Sequence, residues 1–252
     1  MGKANQTIDE STAQGLKVAA GMRVFFTHKS VGANLLNGLE QLTKQAGVTW
    51  PVVEIGEQAP PDGAALLHAT PGENTDPKSK IDGFAAAIRD QQGTHPQLAF
   101  MKLCYVDISP ETDVADLLAH YRDTISALRK EFPDITFGHV TTPVTTQASG
   151  IKDRINRMLG RRVWDDDANL KRNEYNRILR SEFEGDLILD LERAESTYPD
   201  GHREQFEVEG QTGFALVPDY ATPDGGHLNP VGQRRVAEEL VRFVAAAGKA
   251  QK

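Results

Sequence analysis

The feature that most narrows the fold is an alternation. Runs rich in apolar residues recur at 22–27, 51–55, 98–106, 135–140 and 187–191. Between them lie segments with apolar residues at helical spacing, such as Leu35, Leu36, Leu39 and Leu42, or Val114, Leu117, Leu118, Tyr121, Ile125 and Leu128. Two further stripes, Leu170 to Phe183 and Val231 to Val244, follow the same rule. Such a chain predicts parallel strands buried between two layers of helices. With 252 residues, 39% of them hydrophobic, it can bury one sizeable core, so residues 1–252 read as a single domain. Residues 1–20, with only Ile8 and Leu16 as anchors, read as an N-terminal arm or a short helix packed beside the first strand. The passage 56–75, rich in Pro and Gly, reads as a functional or mobile loop. Residues 192–223 read as a long excursion holding two short strands, at 206–208 and 214–217.

Charge and cysteine content then remove several functions. A net charge of −8 argues against nucleic-acid binding, which needs clustered cations on phosphate. The local exception is Lys152, Arg154, Arg157, Arg161 and Arg162, interleaved with Ile151, Ile155, Met158 and Leu159. That segment reads as a surface helix with a solvated basic face or as a site for an anionic substrate group. Cys104 is the sole cysteine, which excludes an intrachain disulfide and a cysteine-rich zinc site. The histidines lack ligand spacing, so neither metal nor cofactor is expected. No apolar run approaches the roughly 20 residues of a membrane span. The chain therefore reads as soluble, cytoplasmic by default, and secreted or periplasmic if a leader has been removed. Gln6 breaks the myristoylation pattern.

Chemistry concentrates at two places far apart in the chain. Arg23 to Leu36, R-V-F-F-T-H-K-S-V-G-A-N-L-L, passes from a strand through a polar turn into a helix. Ser30 therefore stands at the carboxyl end of a buried strand, where open α/β sheets bind ligands. A phosphate loop would need glycines where Arg23 and His28 stand, and no G-x-S-x-G elbow is present. Asp224-Gly225-Gly226-His227 precedes the last helix, and the three-residue spacing lets the carboxylate orient the imidazole while the imidazole reaches towards a serine. The plainer alternatives are an N-capping serine and a local Asx turn.

The ordered set resembles the SGNH, or GDSL-type, hydrolase superfamily, in which the serine follows the first strand and the Asp and His come from D-x-x-H before the last helix. D-G-G-H-L-N-P-V-G, Asp224 to Gly232, is similar to that last block almost residue for residue. The resemblance implies a flavodoxin-like three-layer α/β/α sandwich with a five-stranded, mainly parallel sheet. It implies a serine esterase with Ser30, His227 and Asp224 as its triad, acting on a small-molecule or carbohydrate ester, O-acetylated sugars among them. The usual G-D-S is H-K-S-V-G here, and the G-x-N-D block aligns with Cys104-Tyr105-Val106-Asp107, so Val106 takes the place of the oxyanion-binding asparagine. The oxyanion donors expected are then the Ser30 backbone N–H and Asn74. The alternative reading is a catalytically silent SGNH-like domain that binds a glycan or protein in the same crevice.

Overall fold

The computed structural model describes residues 8–57, 60–91, 94–148, 150–159 and 161–250. Helix α1 (Glu10–Ala19) starts at Asp9, whose carboxylate accepts the Thr12 N–H at 2.9 Å. Then come β1 (Arg23–Thr27), α2 (Val31–Ala46), β2 (Val52–Glu54), β3 (Ala65–Ala69), α3 (Pro77–Arg89) and β4 (Leu98–Met101). A 3₁₀ turn, Tyr105–Asp107, leads to α4 (Val114–Glu131), β5 (Thr136–Phe137), β6 (His139–Val140), α5 (Ile151–Met158), α6 (Trp164–Glu182) and β7 (Ile188–Leu189). The chain ends with α7 (Leu191–Ser196), the hairpin β8 (Gln205–Val208) and β9 (Gln211–Phe214), a 3₁₀ turn at Pro218–Tyr220, and α8 (Pro230–Ala250).

Five strands form a sheet in the order β2-β3-β1-β4-β5, with every pair parallel. Alternation along the strands sends side chains to opposite faces. Val24, Phe26, Leu66 and Phe100 pack with Leu35, Leu39, Val236 and Leu240 from α2 and α8. Phe25, Leu67, Ala99 and Met101 pack on the other face with Phe84, Leu117, Ile125 and Leu179 from α3, α4 and α6. The result is a three-layer α/β/α sandwich. Helices α2 and α8 approach closely at Gly38, where a Cβ would lie 2.2 Å from the Gln233 carbonyl oxygen.

Four details differ from the sequence reading. Residues 65–69, placed in a loop, form β3, which hydrogen-bonds along the whole of β1. The run at 187–191 contributes only Ile188 and Leu189, which pair with β6 in a separate two-stranded ladder. Gly138 separates β5 from β6, and a Cβ there would lie 2.4 Å from the Phe243 ring. In the excursion, Glu209 and Gly210 both take positive φ, 50° and 80°, as a tight hairpin turn requires, so the second strand begins at Gln211 rather than 214. Among the described residues no helix is long and apolar enough to cross a membrane.

Candidate active site

The serine turn is built by steric exclusion. His28 continues the ladder with its N–H on Ala69 O at 3.0 Å, and the chain then turns sharply into α2. A Cβ at residue 32 would lie 2.3 Å from the His28 Cβ, so only glycine fits the first turn of the helix. Ser30 carries φ 54° and ψ −111°, a conformation non-glycine residues rarely adopt, at a cost of about 1–3 kcal/mol. It stands at the N-cap of α2 yet makes no side-chain capping bond, so its hydroxyl is directed elsewhere. Among the described residues the Ser30 N–H has no hydrogen-bond acceptor.

The second half comes from the loop before α8. Asn229 caps that helix, its Oδ1 accepting from Val231 N at 2.9 Å and Gly232 N at 3.2 Å. The loop is fixed from three sides. Leu228 N donates to Asn34 Oδ1 on α2 at 3.0 Å, Thr146 N donates to Gly225 O at 2.8 Å, and Thr222 N donates to His227 O at 2.8 Å. Both glycines are required, since Gly225 has φ 74° and a Cβ on Gly226 would lie 2.6 Å from the Tyr105 ring.

These supports bring three side chains into a row. The Ser30 Oγ lies 2.6 Å from His227 Nε2, and His227 Nδ1 lies 2.6 Å from Asp224 Oδ2. The other Asp224 oxygen accepts from His227 N at 3.0 Å, Gly226 N at 2.9 Å and the Thr222 hydroxyl at 2.8 Å. Those donors, the backbone amides first, hold the Asp224 carboxyl well below the usual carboxylate range. The imidazole stands edge-on to Tyr105, with ring centroids 5.9 Å apart. Asn74 is placed differently: its Oδ1 accepts from Lys80 Nζ at 2.9 Å, and it bonds to none of the three.

Beside the row opens a cleft of about 520 Å³ lined by Tyr105, Val106, Thr146, Trp164, Arg172 and Asp224, among others. Arg172 is buried and binds Tyr105 O at 2.9 Å and Asn169 Oδ1 at 2.8 Å, and burial lowers its pKa to about 10. Val106 exposes an apolar side chain on the wall where an amide was expected. Asn34, Tyr105, Thr222 and Arg172 support the site and escaped the sequence reading. Asn34, four residues after Ser30, is the one that proximity could have flagged.

Below the cleft lies a buried polar floor. Lys80 Nζ reaches both Asp107 oxygens, at 2.8 and 2.6 Å, while Asp107 also accepts from Cys104 N at 2.6 Å and Thr75 N at 2.9 Å. The Cys104 thiol points at Lys29 O, 3.5 Å away. Burial lowers the pKa of Lys102 and raises that of Glu195 to about 8, and Glu195 accepts from Val144 N at 3.1 Å. Burial, then the neighbouring His68, brings His28 down to about 3. The basic segment is a surface helix, but its basic face is not simply solvated. Arg157 is clamped on the buried Asp166 at 2.7 and 2.9 Å and on Ala148 O at 2.7 Å. Among the described residues no cluster of three or more His, Cys, Asp or Glu could hold a metal ion.

The described chain is thus a parallel sheet between two helical layers, an α/β/α sandwich with a strand-end serine facing a histidine–aspartate loop. The profile of the GDSL-like Lipase/Acylhydrolase family matches residues 28–240, and the chain belongs to this family. Among solved structures it is similar to a lipolytic protein of the G-D-S-L family from Desulfitobacterium hafniense DCB-2, at 9% identity over 88% of this chain and 99% of that one, with a TM-score of 0.50. It is similar to the Clostridium thermocellum family 3 carbohydrate esterase, at 14% identity over 91% and 98% of the two chains and a TM-score of 0.42. It is also similar to the periplasmic domain of the Salmonella ser. Paratyphi A lipopolysaccharide acetyltransferase, at 13% identity over 98% and 90% and a TM-score of 0.47. At such identities the likeness concerns the fold. A search of curated proteins returned no match.

Proposed function

We propose that the protein hydrolyses carboxylic esters with Ser30 as nucleophile, His227 as general base and then general acid, and Asp224 as the orienting carboxylate. The observation that carries this reading is the unbroken row from Ser30 Oγ to Nε2, at 2.6 Å, and from Nδ1 to Asp224, at 2.6 Å. As Oγ attacks the ester carbonyl, its proton passes to Nε2 and the carbonyl π pair moves onto oxygen. Collapse of the tetrahedral intermediate expels the alcohol, which takes the proton back from Nε2. Water then repeats both steps on the acyl-enzyme and releases the acid. Asp224 stays ionised throughout, because its two amide donors favour the carboxylate.

The developing oxyanion faces the Ser30 N–H, unpaired among the described residues, at the start of α2, where the helix dipole favours negative charge. Asn74 is the second donor in this reading. Lys80 engages its oxygen and leaves the NH₂ group to donate, and its neighbour Thr75 lines the cleft with Asp224. The substrate class is a small-molecule or carbohydrate O-acyl ester. Val106 favours a second reading, a catalytically silent domain that binds a glycan or protein in the cleft, since its side chain offers no donor. Labelling with a fluorophosphonate probe separates the two. The parent protein is expected to be labelled and Ser30→Ala not; an unlabelled parent, or equal labelling of both, would favour the silent domain.

A further inference from the structure

Helix α5 presents an apolar face that the fold leaves uncovered. At 100° per residue, Ile151, Ile155, Met158 and Leu159 fall within one arc, and they expose 80%, 50%, 86% and 59% of their surface. The opposite arc holds the attachment to the body: Arg157 on Asp166 and Ala148 O, and Asp153 on the wall of the cleft. The apolar arc is thus turned outward by the ion pair that anchors the helix. Trp164, also largely exposed, lines the same cleft as Asp224, so the apolar surface borders the mouth of the site.

Charge indicates what covers this face. Residues 152–162 contain five cations and a single anion, Asp153, in a chain whose net charge is −8. Asp166 and Asp167 pair with Arg157 and Arg162, whereas Lys152 and Arg161 have no ion-pair partner among the described residues. A second copy packed about a two-fold axis through α5 would bring these same cations near one another. We infer that α5 docks this edge of the molecule on an anionic lipid surface, its apolar arc in the acyl boundary and Lys152 and Arg161 against headgroup phosphates. This goes beyond ester hydrolysis and does not depend on it, because binding is measured without turnover.

The test is co-sedimentation with vesicles of phosphatidylcholine alone and of phosphatidylcholine with phosphatidylglycerol, read together with tryptophan emission. Trp50 is buried with its indole N–H on Met22 O, so an environment-dependent shift reports Trp164. Expected are binding to the anionic vesicles that weakens with salt, and a blue shift on binding. Lys152→Gln/Arg161→Gln should bind about thirty-fold more weakly, from about 1 kcal/mol per cation at an anionic surface. Ile155→Glu/Met158→Glu should lose at least about ten-fold. Both variants should keep the parent's thermal midpoint and its turnover of a soluble short-chain ester. The inference is overturned if the parent does not bind anionic vesicles or if the variants bind as well as the parent. It is equally overturned if the parent proves to be a dimer without vesicle affinity that Ile155→Glu/Met158→Glu dissociates.

Discussion

Two polar arrays lie close together at the carboxyl ends of the parallel strands, each centred on an aspartate that accepts two backbone amides. In the upper one Asp224 meets an imidazole, and the side chains of both residues are 52% and 38% exposed. In the lower one Asp107 meets the Lys80 ammonium, and their side chains are 0% and 4% exposed. An exposed array can trade protons with substrate and solvent, and its loss leaves water to solvate the survivor. A buried pair has no such recourse, because removing one charge strands the other in a medium of low dielectric. On the proposed mechanism the difference separates groups that act in the reaction from groups that hold the frame, and it implies that substitutions in the two arrays register in different measurements.

The largest effect expected is on rate. Asp224→Asn keeps the shape but withdraws the charge that stabilises the imidazolium, and should lower kcat by about 10⁴-fold while the thermal midpoint moves little. A fall of less than ten-fold would show that the exposed carboxylate is a turn residue only. Next, Lys80→Met leaves Asp107 buried without its ammonium and should cost about 3–5 kcal/mol in chemical denaturation. Asn74→Ala, which removes only the outer arm of the same network, should leave that stability in place and lower kcat by about 10²-fold or more. An unchanged rate in Asn74→Ala would leave the Ser30 N–H and other backbone groups as the oxyanion donors.

The smallest effect is a pH dependence of stability. Burial raises Glu195 from 4.5 to about 8, so the folded chain holds that proton more tightly than the unfolded one. Its contribution is complete below pH 4.5 and is lost as pH rises through 8. His28 works in the other direction: with its pKa lowered from 6.5 to about 3, its contribution is present above pH 6.5 and is lost as pH falls towards 3. Between pH 6.5 and 8 the Glu195 effect stands apart from that of His28, and the thermal midpoint should decline there in the parent but stay flatter in Glu195→Gln. Identical pH profiles would mean that Glu195 ionises in the folded protein as it does in the unfolded chain.

What the sequence disclosed follows a simple physical division. Asp224, Gly225, Gly226 and His227 are consecutive, so the join between carboxylate and imidazole is local and can be read from spacing. The supports are not local: Arg172 bonds Tyr105 O across 67 residues and Asn34 bonds Leu228 N across 194. The long helices α2, α4, α6 and α8 were legible because their stripes span several turns, whereas the six-residue α7 lies where the sequence reads as an excursion. Strand β3 was missed because A-L-L-H-A has no β-branched residue and lies in a passage rich in Pro and Gly. It is a strand because β1, buried on both faces, offers it a complete parallel edge. Arg157 looked like a solvated cation, since nothing in its own helix shows that Asp166, nine residues on, would be buried beneath it.

The close seat of α8 on α2, with the Gln233 carbonyl over Gly38, has a consequence during synthesis. The serine turn leaves the ribosome early, whereas its base arrives 197 residues later on the loop that α8 carries. On the proposed mechanism a nascent chain therefore holds an ordinary alcohol, unreactive towards esters until the last helix emerges and docks. Reactivity is tied to a contact of very long sequence separation, the kind that forms late because its loop-closure entropy must first be overcome.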